Sequence, residues 1–195
     1  MRDFEDYCWR DVVSDNERHI YSAYVRERAV GKRPALLVVH PGTAAAARVP
    51  PMWTGPALLL ISEARRRRIP VVHSMPTGAT PAAGLAPKPG ESVCARPCES
   101  AFFSSDLERM LKRVGAGSLI VCGAPTSGAL RATVVEGKSF GYKVALAEEA
   151  VGDESPFLHK MALFDLAHKY GDLMSLEELG EQLDAKTDSI EKSKA

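Results

Sequence analysis

Short apolar runs rich in β-branched residues recur along the chain, each followed by a stretch of helical spacing. Ala-Leu-Leu-Val-Val after Pro34 ends at Val39, Ile69–Ser74 makes a second run, and Leu119–Cys122 makes another. Runs of this length and composition read as buried strands. Ser92–Arg96, Tyr142–Ala147 and Asp172–Ser175 complete the predicted strands. Helical segments fill the intervals. Ser14 with Glu17 makes a capping box that opens a helix through Ile20, Tyr21 and Tyr24 to about Ala29. Further helices are predicted at about 55–68, from near Ser105 with Leu107, Met110 and Leu111 inward, and from Leu130 onward. Ser155 caps another, with Pro156 at its favoured first position, running to about Tyr170, and Ser175 with Glu178 opens the last. Strands alternating with helices predict a three-layer α/β/α fold with a mostly parallel, Rossmann-like sheet.

The remaining stretches divide the chain. Residues 1–30 read as an arm and helix, with Phe4, Tyr7, Cys8 and Trp9 forming an aromatic patch that either covers its own core or meets another subunit. Residues 31–184 form one domain, and a polar tail follows over 185–195. Two Pro/Gly/Ala-rich loops, Pro41–Pro51 and Met75–Gly90, are of the kind that line functional faces.

Composition narrows the function classes. The 195 residues carry 25 Lys+Arg against 25 Asp+Glu, so the formal net charge is zero. That balance points away from nucleic acid and anionic membranes. The basic run Arg65–Arg68 sits at a predicted helix end, where cations complement the helix dipole. No stretch is apolar enough to span a bilayer. The opening Met-Arg-Asp-Phe-Glu-Asp lacks the apolar core of a signal peptide, so the expectation is cytoplasmic. Cys8, Cys94, Cys98 and Cys122 are then expected as free thiols. Cys94 and Cys98 have no second ligand pair, so no metal or other cofactor is expected.

The stretch Ser118–Val135, Ser-Leu-Ile-Val-Cys-Gly-Ala-Pro-Thr-Ser-Gly-Ala-Leu-Arg-Ala-Thr-Val-Val, organises the rest. A buried strand, a tight turn over Gly123–Gly128 and a helix aim the elbow residue at the carboxyl end of a parallel sheet, where α/β proteins place their ligands. The elbow residue is Ala129. It offers no nucleophile, acid or base.

This segment resembles the nucleophile region of the isochorismatase-like cysteine hydrolases, above all their N-carbamoylsarcosine amidase branch. Those proteins carry a strand, a Gly-Val-Thr-Thr-Ser-Gly turn with a cis peptide, matching Ala124–Pro125 here, and then the catalytic Cys. The resemblance covers roughly Arg33–Leu179. Arg96 and the following Pro-Cys-Glu-Ser-Ala-Phe-Phe-Ser-Ser-Asp-Leu resemble the family's Lys-x-x-x-Ser-Ala-Phe-x-x-Thr-x-Leu. The resemblance implies a Cys nucleophile, an Asp base and a Lys. This chain has Ala129, His40 and Arg96 at those positions. It also implies a ligand pocket around Pro125, Thr126, Gly128, Leu130 and Phe102, and oligomers with sites near subunit contacts.

A methyl group in place of the thiol forms no acyl-enzyme. Arg96 keeps the positive charge but transfers no proton. The expected function is therefore an inactive homologue acting as a structural or regulatory subunit, in a homo-oligomer or beside an active paralogue. One alternative is a divergent hydrolase of a small amide or carbamoyl compound, with His40 activating water and Arg96 holding the oxyanion. Another is a binder of a small carboxylate. Cys98 could be a displaced nucleophile, whereas Cys122 reads as a small buried hydrophobe. Thr126 and Ser127 read as partners of local backbone. A His40–His73 metal pair lacks the Asp-x-His pattern of metal-holding relatives. His19, His159 and His168 fall on predicted helices as surface or capping residues.

Overall fold

A computed structural model of the chain describes residues 3–22, 28–82 and 84–192. Its strands are β1 (Pro34–Val39), β2 (Val71–Pro76), β3 (Ser92–Arg96), β4 (Ser118–Gly123), β5 (Lys143–Val151) and β6 (Asp172–Met174). All pair in parallel, in the order β3-β2-β1-β4-β5-β6. The helices are α1 (Asp15–Ser22), α2 (Thr43–Ala46), α3 (Thr54–Arg66), α4 (Leu107–Arg113), α5 (Arg131–Ser139), α6 (Pro156–Lys169) and α7 (Leu176–Lys192). The chain moves outward through β1, β2 and β3, then restarts beside β1 with β4 and moves the other way. The loops after β1 and β4 thus diverge at the point where strand order reverses. That crevice is the ligand site of open α/β sheets.

Both faces of the sheet are buried along the central strands β1 and β4, which is why these read as unbroken apolar runs, whereas the edge strand β3 alternates. Ala35, Leu37 and Val39 pack with Leu107, Leu111, Val134 and Leu163 on one face. Leu36 and Val38 pack with Ala57, Leu60, Ile61, Leu179 and Leu183 on the other. Each such aliphatic side chain contributes about 1.5–3 kcal/mol on full burial. The three-layer α/β/α reading is correct.

The caps expected from sequence carry hydrogen bonds. Ser155 Oγ accepts from the Leu158 amide at 3.3 Å. Ser175 and Glu178 cap each other, at 3.1 Å from the Glu178 amide to Ser175 Oγ and 2.8 Å from the Ser175 amide to the Glu178 carboxylate. Ser14 Oγ donates to Glu17. The stretch of the first helix that reaches Tyr24 runs into residues 23–27, outside the described residues. The arm packs on its own chain: Tyr7 and Trp9 are buried, and Trp9 meets Phe164 of α6 edge-on at 5.8 Å.

Three boundaries differ from the sequence reading. The fifth strand runs on to Val151 through Glu148 and Glu149, which the pattern assigns to a loop. Pairing of Val151 with Gly123 after a bulge carries it across these charges. The last helix continues past Ala185 to Lys192, because Ala, Lys and Glu propagate a helix without an apolar face. The loop after β1 contains the single turn α2.

The basic run Arg65–Arg68 is largely neutralised within the chain. Arg65 grips Glu91 with two hydrogen bonds of 2.7 and 3.0 Å, Arg66 pairs with Glu63, and Arg67 with Asp184. Among the described residues, no helix is long and apolar enough to cross a membrane.

Candidate functional site

The elbow begins where β4 touches β1. Gly123 has φ of +130°, and a Cβ there would lie 2.0 Å from the Val39 carbonyl oxygen, so no other residue fits. The Ala124 amide donates to that same oxygen at 3.0 Å, and the Ala124–Pro125 peptide is cis. Thr126–Leu130 then forms a wide helical turn, broken at Gly128, which leads into α5.

Neighbouring loops take up the polar groups of this turn. The Thr126 amide and Oγ1 both donate to the Gly152 carbonyl, at 2.8 and 2.9 Å. With its proton so placed, Thr126 Oγ1 accepts from His159 Nδ1 at 2.9 Å. The Ser127 amide donates to Asp153 at 2.7 Å. Thr126 and Ser127 thus serve local structure. His159, in the first turns of α6 as expected, is half-buried against the elbow, and burial lowers its pKa against the pull of Asp153 and Glu148. A sequence-level signal for this contact is absent, since His159 lies 33 residues from Thr126.

Ala129 is 1% exposed and sits in the core cluster. Its carbonyl accepts from Thr133 Oγ1 at 2.7 Å, and that hydroxyl accepts from the Ala101 amide at 3.0 Å. This chain of bonds explains why Ser100-Ala101-Phe102 accompanies the elbow: it buttresses the turn from behind. Leu130 and Phe102, named as pocket residues above, have side chains in the same core, Phe102 stacked on Phe140 at 5.0 Å. Pro125 and Gly128 remain at the turn, with the Glu99 carboxylate 3.2 Å from where a Gly128 Cβ would be.

His40 follows β1 directly and is completely buried. Its ring is fixed by a one-way chain of hydrogen bonds. The Ala82 amide donates to His40 Nδ1 at 3.1 Å, so that nitrogen carries no proton. His40 Nε2 therefore bears the proton and donates to His73 Nδ1 at 2.9 Å. His73 Nε2 in turn donates to Glu91 at 3.0 Å. Glu91 also accepts from Arg65 and, at 2.7 Å, from the Lys88 amide. Both rings are neutral in this arrangement.

The electrostatics agree. Burial, with His73 and Arg96 nearby, lowers the His40 pKa to about 3. Burial also lowers that of His73, against the pull of Glu91. Burial raises the Glu91 pKa, but the donors around it outweigh that and hold it at about 2. The two histidines weighed above as a metal pair spend their facing nitrogens on each other. Among the described residues, no group of three His, Cys, Asp or Glu could hold a metal ion.

Arg96 ends β3 and is 3% exposed. Its guanidinium spans the carboxyl ends of two strands, donating to the Ser74 carbonyl at 3.0 Å and to the His40 carbonyl at 2.7 Å. Among the described residues, no ion pair joins it to a carboxylate. Burial lowers its pKa, while Glu99 acts in the opposite sense. His40 and Arg96 are thus in direct contact, and Ala129 lies in the elbow that follows β4, the strand paired with β1. Cys98 is exposed, its Sγ 3.7 Å from the Ser100 carbonyl. Cys122 is buried in the sheet, where desolvation raises its thiol to about 12. It acts as a small hydrophobe.

The isochorismatase domain model matches residues 55–178, more than half of the chain and including α3, the elbow and α6. The chain belongs to the isochorismatase family. Among the curated relatives of this family member, it is 34% identical over 120 residues to a maleamate amidohydrolase from Pseudomonas putida, covering 60% of this chain and 56% of that protein. It is 34% identical over 101 residues to an N-carbamoylsarcosine amidase from Arthrobacter, covering 52% of this chain and 38% of that one. The chain thus spans about half the length of the curated relatives it matches. The fold is that of a crystallised isochorismatase from Pseudomonas putida, with a TM-score of 0.68 at 20% identity, over 86% of this chain and all of the other.

Within this isochorismatase-family site, sequence reasoning missed Glu91, Arg65 and Ala82. Glu91 carries a weak signal, an acidic residue opening β3 one strand away from His73. Ala82 carries none, because it contributes only a backbone N–H.

Proposed function

We propose that this chain is a catalytically silent isochorismatase-family protein that serves as a structural or regulatory subunit of an oligomeric amidohydrolase. One observation carries the reading: both ring nitrogens of His40 are consumed by Ala82 and His73, at the position where the resemblance calls for a base. Beside it, Ala129 supplies a methyl group where a thiol would attack, and Arg96 is committed to two backbone carbonyls. The divergent-hydrolase alternative needs a free nitrogen on His40, and it has none. All four cysteines are free thiols, in keeping with a reducing, cytoplasmic setting.

The elements that stage the elbow are nonetheless intact, which suits a chain kept for its shape. The test is native mass spectrometry of the protein purified gently from its own cells, alongside ammonia release from small amides and ureides. The expected result is a mixed oligomer whose second chain retains Cys, Asp and Lys, with no turnover by this chain alone. A pure homo-oligomer overturns the mixed assembly. Turnover that His40→Ala abolishes overturns catalytic silence.

A further inference from the structure

The segment joining β2 to β3, described over residues 77–82 and 84–91, crosses from the carboxyl end of β2 back to the amino end of β3 and is tied to the rest of the fold at three points. At its start, the Thr77 amide and hydroxyl both donate to the Arg96 carbonyl, at 3.2 and 3.4 Å. In the middle, the Ala82 amide donates to His40 Nδ1, and its carbonyl accepts from the Leu85 amide at 3.0 Å. Leu85 is 1% exposed and packs in the cluster that holds Val38 and Trp53. At its end, Glu91 gathers His73, Arg65 and the Lys88 amide.

The direction of the central chain matters. Every donor has one acceptor, from the Ala82 N–H through His40 and His73 to Glu91, and the order works only if His40 is neutral with its proton on Nε2. A carboxylate at position 40 could accept from Ala82 but could not donate to His73. His73 would then face carboxylates on both sides and take up a second proton. The histidine at position 40 is therefore matched to His73 on β2, and to a backbone N–H and the Glu91 carboxylate of the strap. Nothing in hydrolytic chemistry requires that match. A strap that must stay down does, because a buried N–H or ring nitrogen left without a partner loses its solvation with nothing in exchange.

We infer that His40, His73, Glu91 and Arg65 form a latch that holds the strap, residues 77–82 and 84–91, down against the sheet from the carboxyl end of β1 to the amino end of β3, and that latching is the work of His40. The inference rests on the reading of His40 as a group that is not a base, and it makes the held-down strap the form this chain presents.

The test is amide hydrogen exchange on the full chain, resolved by residue, with ring nitrogen NMR of the histidines at neutral pH. The Ala82 amide is expected to exchange at least about 100-fold more slowly than an unstructured amide, as hydrogen-bonded sites do. His40 and His73 are both expected to be protonated on Nε2 alone. His73→Phe removes the middle of the latch, and Ala82→Pro removes the strap's donor to His40 while sparing the histidines. In Ala82→Pro, residues 78–90 should exchange at least about tenfold faster, with the amides of β1 and β4 unchanged. A fast Ala82 amide in the wild type, a proton on His40 Nδ1, or unchanged strap exchange in both variants would overturn the latch. Ammonia release reports separately on catalytic silence, so either idea can fail without the other.

Discussion

Lowering the pH should destabilise this protein before its carboxylates titrate, because its latch contains two neutral buried histidines. In the unfolded chain His40 has an ordinary pKa of 6.5, and in the fold it lies at about 3. A base whose folded pKa is depressed adds stability above its unfolded pKa and loses it as the pH falls towards the folded value. The window for His40 is therefore pH 6.5 down to about 3. Each pH unit inside that window costs about 1.4 kcal/mol, so going from pH 7.5 to 5 removes about 2 kcal/mol through His40 alone. His73 is lowered by the same cause and adds in the same direction. Glu91, held at about 2, loses its contribution only as the pH falls below its ordinary value of 4.5, so it adds nothing to the change between pH 7.5 and 5. Against a domain stability of about 5–15 kcal/mol the histidine loss is large. The assay is urea unfolding at pH 7.5, 6.5, 5.5 and 5. His40→Gln, which keeps an acceptor and a donor but cannot titrate, should flatten the slope by roughly half. A wild-type change below about 0.5 kcal/mol over this range, or a His40 titration near 6.5 by NMR, would refute the reasoning.

Other consequences follow from the same geometry. Gly123→Ala places a Cβ on the Val39 carbonyl at a positive φ and should cost about 3 kcal/mol or more, read as a fall in thermal midpoint. Trp9→Ala empties a fully buried arm position and should destabilise the chain by about 3–5 kcal/mol in urea, whatever its oligomeric state. The combined change His40→Asp, Arg96→Lys and Ala129→Cys should release little ammonia from small amides, because His73 gains a proton and pairs with the new carboxylate. Adding His73→Leu should raise that turnover, and equal rates with and without it would count against the pairing.

The layered fold and the elbow were legible in the chain because both are written locally. Buried parallel strands must be apolar throughout, capping pairs such as Ser175 with Glu178 lie three residues apart, and the turn from Gly123 into α5 is one continuous stretch. That the elbow residue is Ala129 was legible for the same reason. The latch was not. Its members come from the residue after β1, from β2, from two places in the strap and from the end of α3, and one of them contributes only a backbone N–H. The family resemblance puts residue 40 at the position of a base. Only the tertiary structure, by filling both of its ring nitrogens and removing water, makes it a strut. Sequence sets which groups exist and how the strands alternate; packing sets which lone pairs remain free, and free lone pairs decide chemistry.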